Sequence, residues 1–356
     1  MSETIRTADI IGRRLYDAGV RFAFGIPGGE VLTLIDGLEK AGIRFILSKH
    51  ENAAGFMAEG VYHITGAPGV LIATVGPGAA NAVNVTANAL QDRVPMIVIT
   101  GCVDPADTVT YNHQVFDHTA VFSPICKESF TVPNGYVPQL IDKAVAIATE
   151  GRPGPVHLDL PIAVSAQLHE FSRNEYRPLP APVRPSKGIN LDTAREWLSK
   201  ADRPLMIVGV DAVNQNAGQS VTKFAKKFGT PVISTYKAKG IISEDEALSL
   251  GGAGLSPLGD KTLIPLIEEA DFILLVGYDP IEMRNGWRSI WNTAEKNVVE
   301  ILVSPEYSYM HTSSMMFICD IAEGLEALSE NNSNGETWIH NEPAIVKKET
   351  ASLYGQ

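Results

Sequence analysis

Short apolar runs, each ended by a glycine- or proline-bearing turn and followed by a helical stretch, constrain this chain more than any other feature. In the first half the runs fall at 22–26, 45–47, 69–75 and 95–101. They are apolar throughout rather than alternating, which is the pattern of a strand buried on both faces. Helical patterns lie between them at 7–19, 30–40, 52–65 and 79–90. In the first of these, Ile10, Ile11, Leu15 and Ala18 form one stripe, and Gly19 supplies the C-cap. Strands that alternate with helices predict a parallel sheet covered on both faces. In such sheets ligands bind beyond the carboxyl ends of the strands. The loops at 27–29, 49–52 and 76–78 fall at such ends, so the alternation predicts that they meet in space.

Residues 173–190 are polar and rich in proline (Pro178, Pro180, Pro182, Pro185) and read as an inter-domain linker. A second alternation follows, with strands at 204–209, 231–235, 271–277 and 298–303 and helices at 218–228 and 263–270. The fold class is therefore α/β, with two doubly wound parallel-sheet domains at 1–172 and 191–330. The stretch Glu330-Asn331-Asn332-Ser333-Asn334-Gly335 has the composition of a flexible linker, and 338–353 reads as an amphipathic helix beyond a finished domain. Residues 331–356 are thus expected to lead outward, toward a further domain.

Composition removes several functional classes. Apolar residues at 45% and charged residues at 20% supply material for ordinary cores. A formal net charge of −12, with no Lys/Arg-rich run, argues against a nucleic-acid binder, whose phosphate contacts need clustered basic side chains. No apolar stretch approaches the ~20 residues of a membrane span. Residues 1–6 show no basic segment followed by an apolar run, so no secretory signal is expected. Cys102, Cys126 and Cys319 match neither a metal pattern nor a disulfide framework, and the expectation is reduced thiols in a cytoplasmic protein.

Five motifs follow one another along the first domain. They are Gly25-Ile26-Pro27-Gly28-Gly29, His50-Glu51-Asn52-Ala53-Ala54, Ala58-Glu59-Gly60, Gly76-Pro77-Gly78-Ala79-Ala80-Asn81, and Asp92-Arg93-Val94-Pro95 leading to Gly101. In this order and spacing they resemble the N-terminal domain of the thiamine-diphosphate enzymes of the acetolactate synthase group. Residues 151–161 resemble the closing strand of that domain, and residues 191–330 resemble the group's central, Rossmann-like domain. The resemblance covers essentially the whole chain and implies a pyrimidine-binding domain at 1–172.

It also implies roles. In this group a buried carboxylate, hydrogen-bonded to the cofactor's pyrimidine ring, drives the aminopyrimidine toward the imino form that takes the proton from the thiazolium carbon. Glu51 matches that carboxylate. It follows a strand and opens a helix, where the N-terminus favours an anion; read alone, it is a helix-capping glutamate in solvent. Gly76, Pro77 and Gly78 match the segment beside the pyrimidine, Asn81 is a candidate for orienting polar groups in that pocket, and Pro27 and Gly28 match the segment facing the substrate. Read alone, these are turns and a helix surface. Gln114 matches the group's glutamine, and His113 stands where acetolactate synthases carry an aromatic; His113 is read as an acid or base or, equally, as a loop histidine. Ile162, after Asp159-Leu160-Pro161, replaces the group's lysine. These two departures bear on the product and leave the cofactor untouched.

The implied cofactor is thiamine diphosphate with Mg²⁺. The group's third domain holds the diphosphate through Mg²⁺ with a Gly-Asp-Gly motif; this sequence has none, and Gly259-Asp260-Lys261 is the nearest approach. No metal ligand is assigned here. The reading is a subunit or fragment of a carboligase or decarboxylase acting on a 2-oxo acid. Its diphosphate-binding domain and Mg²⁺ come from a partner chain in a homo- or hetero-oligomer. The alternative is a non-catalytic binding or assembly module. In the central domain, residues 251–256 and 277–280 match places where the group holds FAD or an adenine nucleotide. Glycines at strand ends suit a dinucleotide, but Gly-x-Gly-x-x-Gly is absent, and FAD stays an open alternative.

Overall fold

The computed structural model describes residues 3–171, 180–305 and 307–353. They fold as two compact units, Met1–Arg177 and Pro178–Gln356. The described strands of the first unit are β1 (Glu3–Arg6), β2 (Phe22–Gly25), β3 (Arg44–Leu47), β4 (Gly69–Ala73), β5 (Met96–Cys102), β6 (Glu128–Thr131), β7 (Pro155–Pro161) and β8 (Leu168–Phe171). Six of them form a parallel sheet in the order β3-β2-β4-β5-β7-β6. The most apolar runs become the inner strands; every residue of β4 and β7 is buried. Successive side chains point to opposite faces, as strand geometry requires. Val70, Ile72, Ile97 and Ile99 pack with Ile10, Leu15 and Ile141 on one face. Leu71, Met96 and Val98 pack with Ala54, Val85 and Phe122 on the other. Each such side chain gives roughly 1.5–3 kcal/mol on burial, so the inner strands hold the sheet, and the half-exposed β3 and β6 form its edges. β1 and β8 pair antiparallel in a separate ribbon, Glu3 opposite Phe171 and Arg6 opposite Leu168.

The strand order makes a crevice. The chain leaves β2 for β3, then crosses back to β4 on the other side of β2. At such a reversal the connections diverge, and the carboxyl ends of β2 and β4 open a gap between them.

The second unit repeats the plan with β9 (Pro204–Val208), β10 (Val232–Thr235), β11 (Ser249–Ala253), β12 (Phe272–Val276), β13 (Asn297–Leu302) and β14 (Met315–Ile318). All are parallel, in the order β11-β10-β9-β12-β13-β14, with the reversal between β9 and β12. Two doubly wound sheets are what the alternation predicts.

Three local differences have physical causes. The stretch expected as one helix over 79–90 is two, Pro77–Asn81 and Val83–Gln91; Ala82 N–H donates to Ala79 O at 3.0 Å, three residues back, and this tight closure ends the first helix. The helix expected from 263 begins at Pro257, because Ser256 caps it by accepting Gly259 N–H and Pro257 suits a first helical turn. The described part of the tail, expected as a flexible linker and a helix beyond it, packs on the second unit. Asn334 donates to Phe228 O at 2.7 Å and Thr337 to Gly229 O at 2.9 Å, while the Trp338 indole donates to Pro204 O at 2.8 Å. The helix Glu342–Leu353 then lies on the helix Pro257–Glu269, with Thr350 and Thr262 hydroxyls 2.7 Å apart. The polar residues that read as linker are the ones that satisfy open carbonyls. The segment expected as the inter-domain linker, 173–190, falls partly outside the described residues; in its described part Val183 and Asp320 exchange hydrogen bonds, and a helix starts at Ile189. Among the described residues no helix is long and apolar enough to cross a membrane.

Candidate active site in the first unit

The crevice between β2 and β4 is edged by the two glycine turns and faced by Glu51. Ser48, just past β3, ties that strand's exit to β2: its N–H and hydroxyl both donate to Gly25 O, at 2.9 and 3.1 Å. His50 then caps the helix Glu51–Thr65 by accepting Asn52 N–H on Nδ1 at 3.1 Å. Helix geometry therefore places Glu51 in the first turn, and its side chain is only 4% exposed. Asn81 Nδ2 donates to Glu51 Oε2 at 3.0 Å. Glu51 Oε1 faces Gly78, where a Cβ would stand 3.4 Å away; Thr74 lies alongside, and its methyl would meet a Cβ on Gly28 at 2.8 Å. Glycine at 78 and at 28 thus leaves a cradle that a side chain would fill. A buried carboxyl group with one oxygen anchored and the other turned to a glycine-lined cradle fits a ligand that offers a hydrogen-bonding ring nitrogen.

The expected residues do not all converge equally. Glu51, Asn81, Gly78 and Gly28 share one contact region. Pro77 is exposed at the start of the helix that carries Asn81, and Pro27 is exposed at the end of β2. Gln114, exposed with φ of +58°, packs its main chain on Gly76: a Cβ at Gly76 would lie 2.3 Å from Gln114 O. His113 beside it is exposed, its ring 6.3 Å from Tyr111. The two candidates are exposed, and among the described residues no hydrogen bond fixes either side chain.

A buried polar chain missed by sequence reasoning supports the loop from behind. Gly76 takes φ +63°, ψ −113°, which only glycine adopts readily, and its N–H donates to His118 Nε2 at 3.1 Å. Because Nε2 accepts, the proton of the neutral ring sits on Nδ1 and is donated to Asp159 Oδ1 at 2.9 Å. Thr100 donates to the same oxygen at 2.6 Å and lies 2.8 Å from His157 Nε2. His157 Nδ1 in turn lies 2.7 Å from the Ser129 hydroxyl. Burial pushes His157 down to about 4, in keeping with a neutral ring donating from Nε2 and accepting on Nδ1. The polar chain runs from the carboxyl ends of β5 and β7 inward to His157 and Ser129, and its outer members His118 and Asp159 wall a cavity of about 340 Å³ shared with Cys102, Phe116 and Thr131. Burial, with Asp159 adjacent, pushes the Cys102 thiol up, and burial pushes Cys126 and Cys319 up to about 12, so none of the three is an activated nucleophile. The sequence held one signal for this network: Asp159 is an acid inside an apolar strand, and a buried acid needs partners.

Comparisons with known proteins bear on the fold and the family of the chain. Residues 5–121 match the family described as thiamine pyrophosphate enzyme, N-terminal TPP binding domain, and residues 191–328 match thiamine pyrophosphate enzyme, central domain. Acetolactate synthase of Bacillus subtilis (strain 168) is 32% identical over 313 residues, 85% of this chain and 53% of that protein. The large subunit of acetolactate synthase isozyme 1 of Escherichia coli (strain K12) is 33% identical over 275 residues, 76% of this chain and 48% of the relative. The probable 2-ketoarginine decarboxylase AruI of Pseudomonas aeruginosa is 30% identical over 337 residues, 92% of this chain and 58% of the relative. The chain spans about half the length of the curated relatives it matches.

Proposed function

Because this chain belongs to the thiamine pyrophosphate enzymes, carrying their N-terminal and central domains, we propose that it works as the pyrimidine-binding part of a carboligase or decarboxylase acting on a 2-oxo acid. One observation carries the reading: Glu51 is buried at the reversal of the sheet, with Oε2 held by Asn81 and Oε1 turned to the cradle at Gly78. Thiamine diphosphate supplies, when bound, the nucleophilic carbon that adds to the substrate's oxo group and accepts the electron pair left when CO₂ departs. Glu51 Oε1 would hold the cofactor's pyrimidine through a shared proton at a ring nitrogen. Asn81 keeps the carboxyl group from rotating away. His118 fixes Gly76 and so the loop Gly76-Pro77-Gly78 against the ring. Pro27 and Gly28 face the substrate side, and Gln114 and His113 at the rim meet the substrate, with His113 in the place of an acid or base.

The diphosphate and its Mg²⁺ are assigned to a domain outside these 356 residues, supplied by a partner chain, since no Gly-Asp-Gly occurs here. The cytoplasm is the proposed location. The test is to combine the chain with that diphosphate-binding partner and follow pyruvate turnover. Glu51→Gln is expected to lower turnover ~10²–10⁴-fold, the range for a placed acid–base group. Full activity in the variant would refute the role of Glu51, whereas no turnover by the unsubstituted complex would favour the non-catalytic module.

A further inference from the structure

The second unit has the strand order of dinucleotide-binding sheets, β11-β10-β9 on one side of the reversal and β12-β13-β14 on the other. In such a sheet a pyrophosphate rests at the carboxyl ends of the strands flanking the reversal, on main-chain amides just past the first strand. Here those amides already hold a carboxyl group. Glu282 Oε2 accepts Val210 N–H, just past β9, at 3.2 Å, and Oε1 accepts Lys237 N–H, just past β10, at 3.2 Å. Glu282 is 1% exposed. The turn Pro280–Glu282 sets it there, and Asp279 pins the turn by accepting Ile281 N–H at 3.1 Å.

The neighbouring amides are taken as well. Gly209 N–H donates to Val276 O at 2.9 Å, and Asp211 N–H to Gly277 O at 3.1 Å. Space is equally short, since a Cβ on Gly209 would stand 2.5 Å from Gly277 O and 3.1 Å from Glu282 Oε2. Glycines that in a dinucleotide site admit the ligand here let one strand end approach the other.

We infer that Glu282 is a built-in occupant of this crevice, a carboxyl group from the chain itself that shuts the pyrophosphate of a dinucleotide, FAD included, out of the second unit. The single glycine expected to serve FAD at 277–280, Gly277, is spent on this closure, where a Cβ would stand 2.5 Å from Ala212 N, and those at 251–256 end β11, two strands from the reversal. The inference is independent of the chemistry proposed at Glu51.

The experiment titrates FAD, ADP and inorganic pyrophosphate into the whole chain and into its Glu282→Ala and Glu282→Gln variants, followed by calorimetry and flavin fluorescence. The unsubstituted chain is expected to show no saturable binding up to millimolar ligand. Glu282→Ala uncovers the two amides and is expected to gain pyrophosphate and ADP affinity by at least ~10-fold, whereas Glu282→Gln, which keeps the bulk, stays closed. Stoichiometric FAD uptake by the unsubstituted chain overturns the inference. So does a folded Glu282→Ala variant that gains nothing. Should that variant fail to fold, the FAD titration of the unsubstituted chain decides alone: uptake overturns the inference, and exclusion together with a closed Glu282→Gln sustains it.

Discussion

Two sheets of the same architecture carry a buried glutamate at the reversal of strand order, and the two glutamates are treated in opposite ways. Glu51 in the first unit has one oxygen on a side-chain amide and the other turned to an open cradle. Glu282 in the second has each oxygen on a main-chain N–H, and the strand ends press around it. The difference teaches that fold alone does not make a site. The reversal supplies a crevice, and what matters is whether the chain fills its own crevice or leaves a polar group with capacity to spare.

The largest expected effect separates the two glutamates directly. In the assembled enzyme Glu51→Gln is expected to lower turnover ~10²–10⁴-fold, while Glu282→Gln changes it by about twofold or less. Equal losses would erase the contrast. Next comes the support behind the open crevice. His118→Ala leaves Gly76 N–H without its partner in a buried setting and takes one of two donors from Asp159, and roughly 2–4 kcal/mol of stability should be lost, measured by denaturant unfolding. A neutral outcome would show that the loop holds itself.

Acidity should act on the units with opposite signs. Burial, reinforced by Asp279, raises Glu282 to about 7, despite the amide bonds that lower it. Below about 4.5 both folded and unfolded chains hold the proton; above it the unfolded chain ionises first. Glu282 therefore subtracts stability progressively as pH rises from about 4.5 to about 7, by roughly 3 kcal/mol in full. Burial lowers His157 to about 4, with Asp159 opposing and His118 adding to the shift. Its contribution is intact above about 6.5 and lost as pH falls to about 4, again by roughly 3 kcal/mol. Unfolding free energies against pH, compared with Glu282→Gln and His157→Gln, should give difference curves of opposite slope. Parallel curves would refute the assignment. The smallest effect concerns the docked tail: Asn334→Ala removes one hydrogen bond to Phe228 O and is expected to cost about 1 kcal/mol in the second unit alone.

What the sequence made legible follows from which forces are local. Strands β4, β5, β9 and β12 are buried on both faces, so their apolar runs announce them. β1 and β8 stayed hidden because their pairing joins residues 3–6 to 168–171, and neither run is apolar enough to stand out. The turns around the cradle were readable because glycine marks close approach. The chain from His118 to Asp159 was not, since it links residues 41 apart through side chains on different elements. Glu282 lies just past the stretch 277–280 and carried no signal of its own; nothing in a linear string tells which amides a carboxyl group will cover. The asparagines near 332 misled for a related reason: their composition suits a loop, and their hydrogen bonds to carbonyls of the second unit appear only in three dimensions.

The edge position of β3 has a consequence for timing. Among the described residues β3 bonds to β2 alone, its residues are exposed or half-buried, and the helix that presents Glu51 starts a few residues beyond it. Edge segments with few buried contacts open at lower free energy than the centre of a sheet. Amide hydrogens of Arg44–Leu47 should therefore exchange with solvent deuterium well before those of β4 and β5. The carboxyl group thus follows directly on an edge strand that opens at lower free energy than the strands behind it.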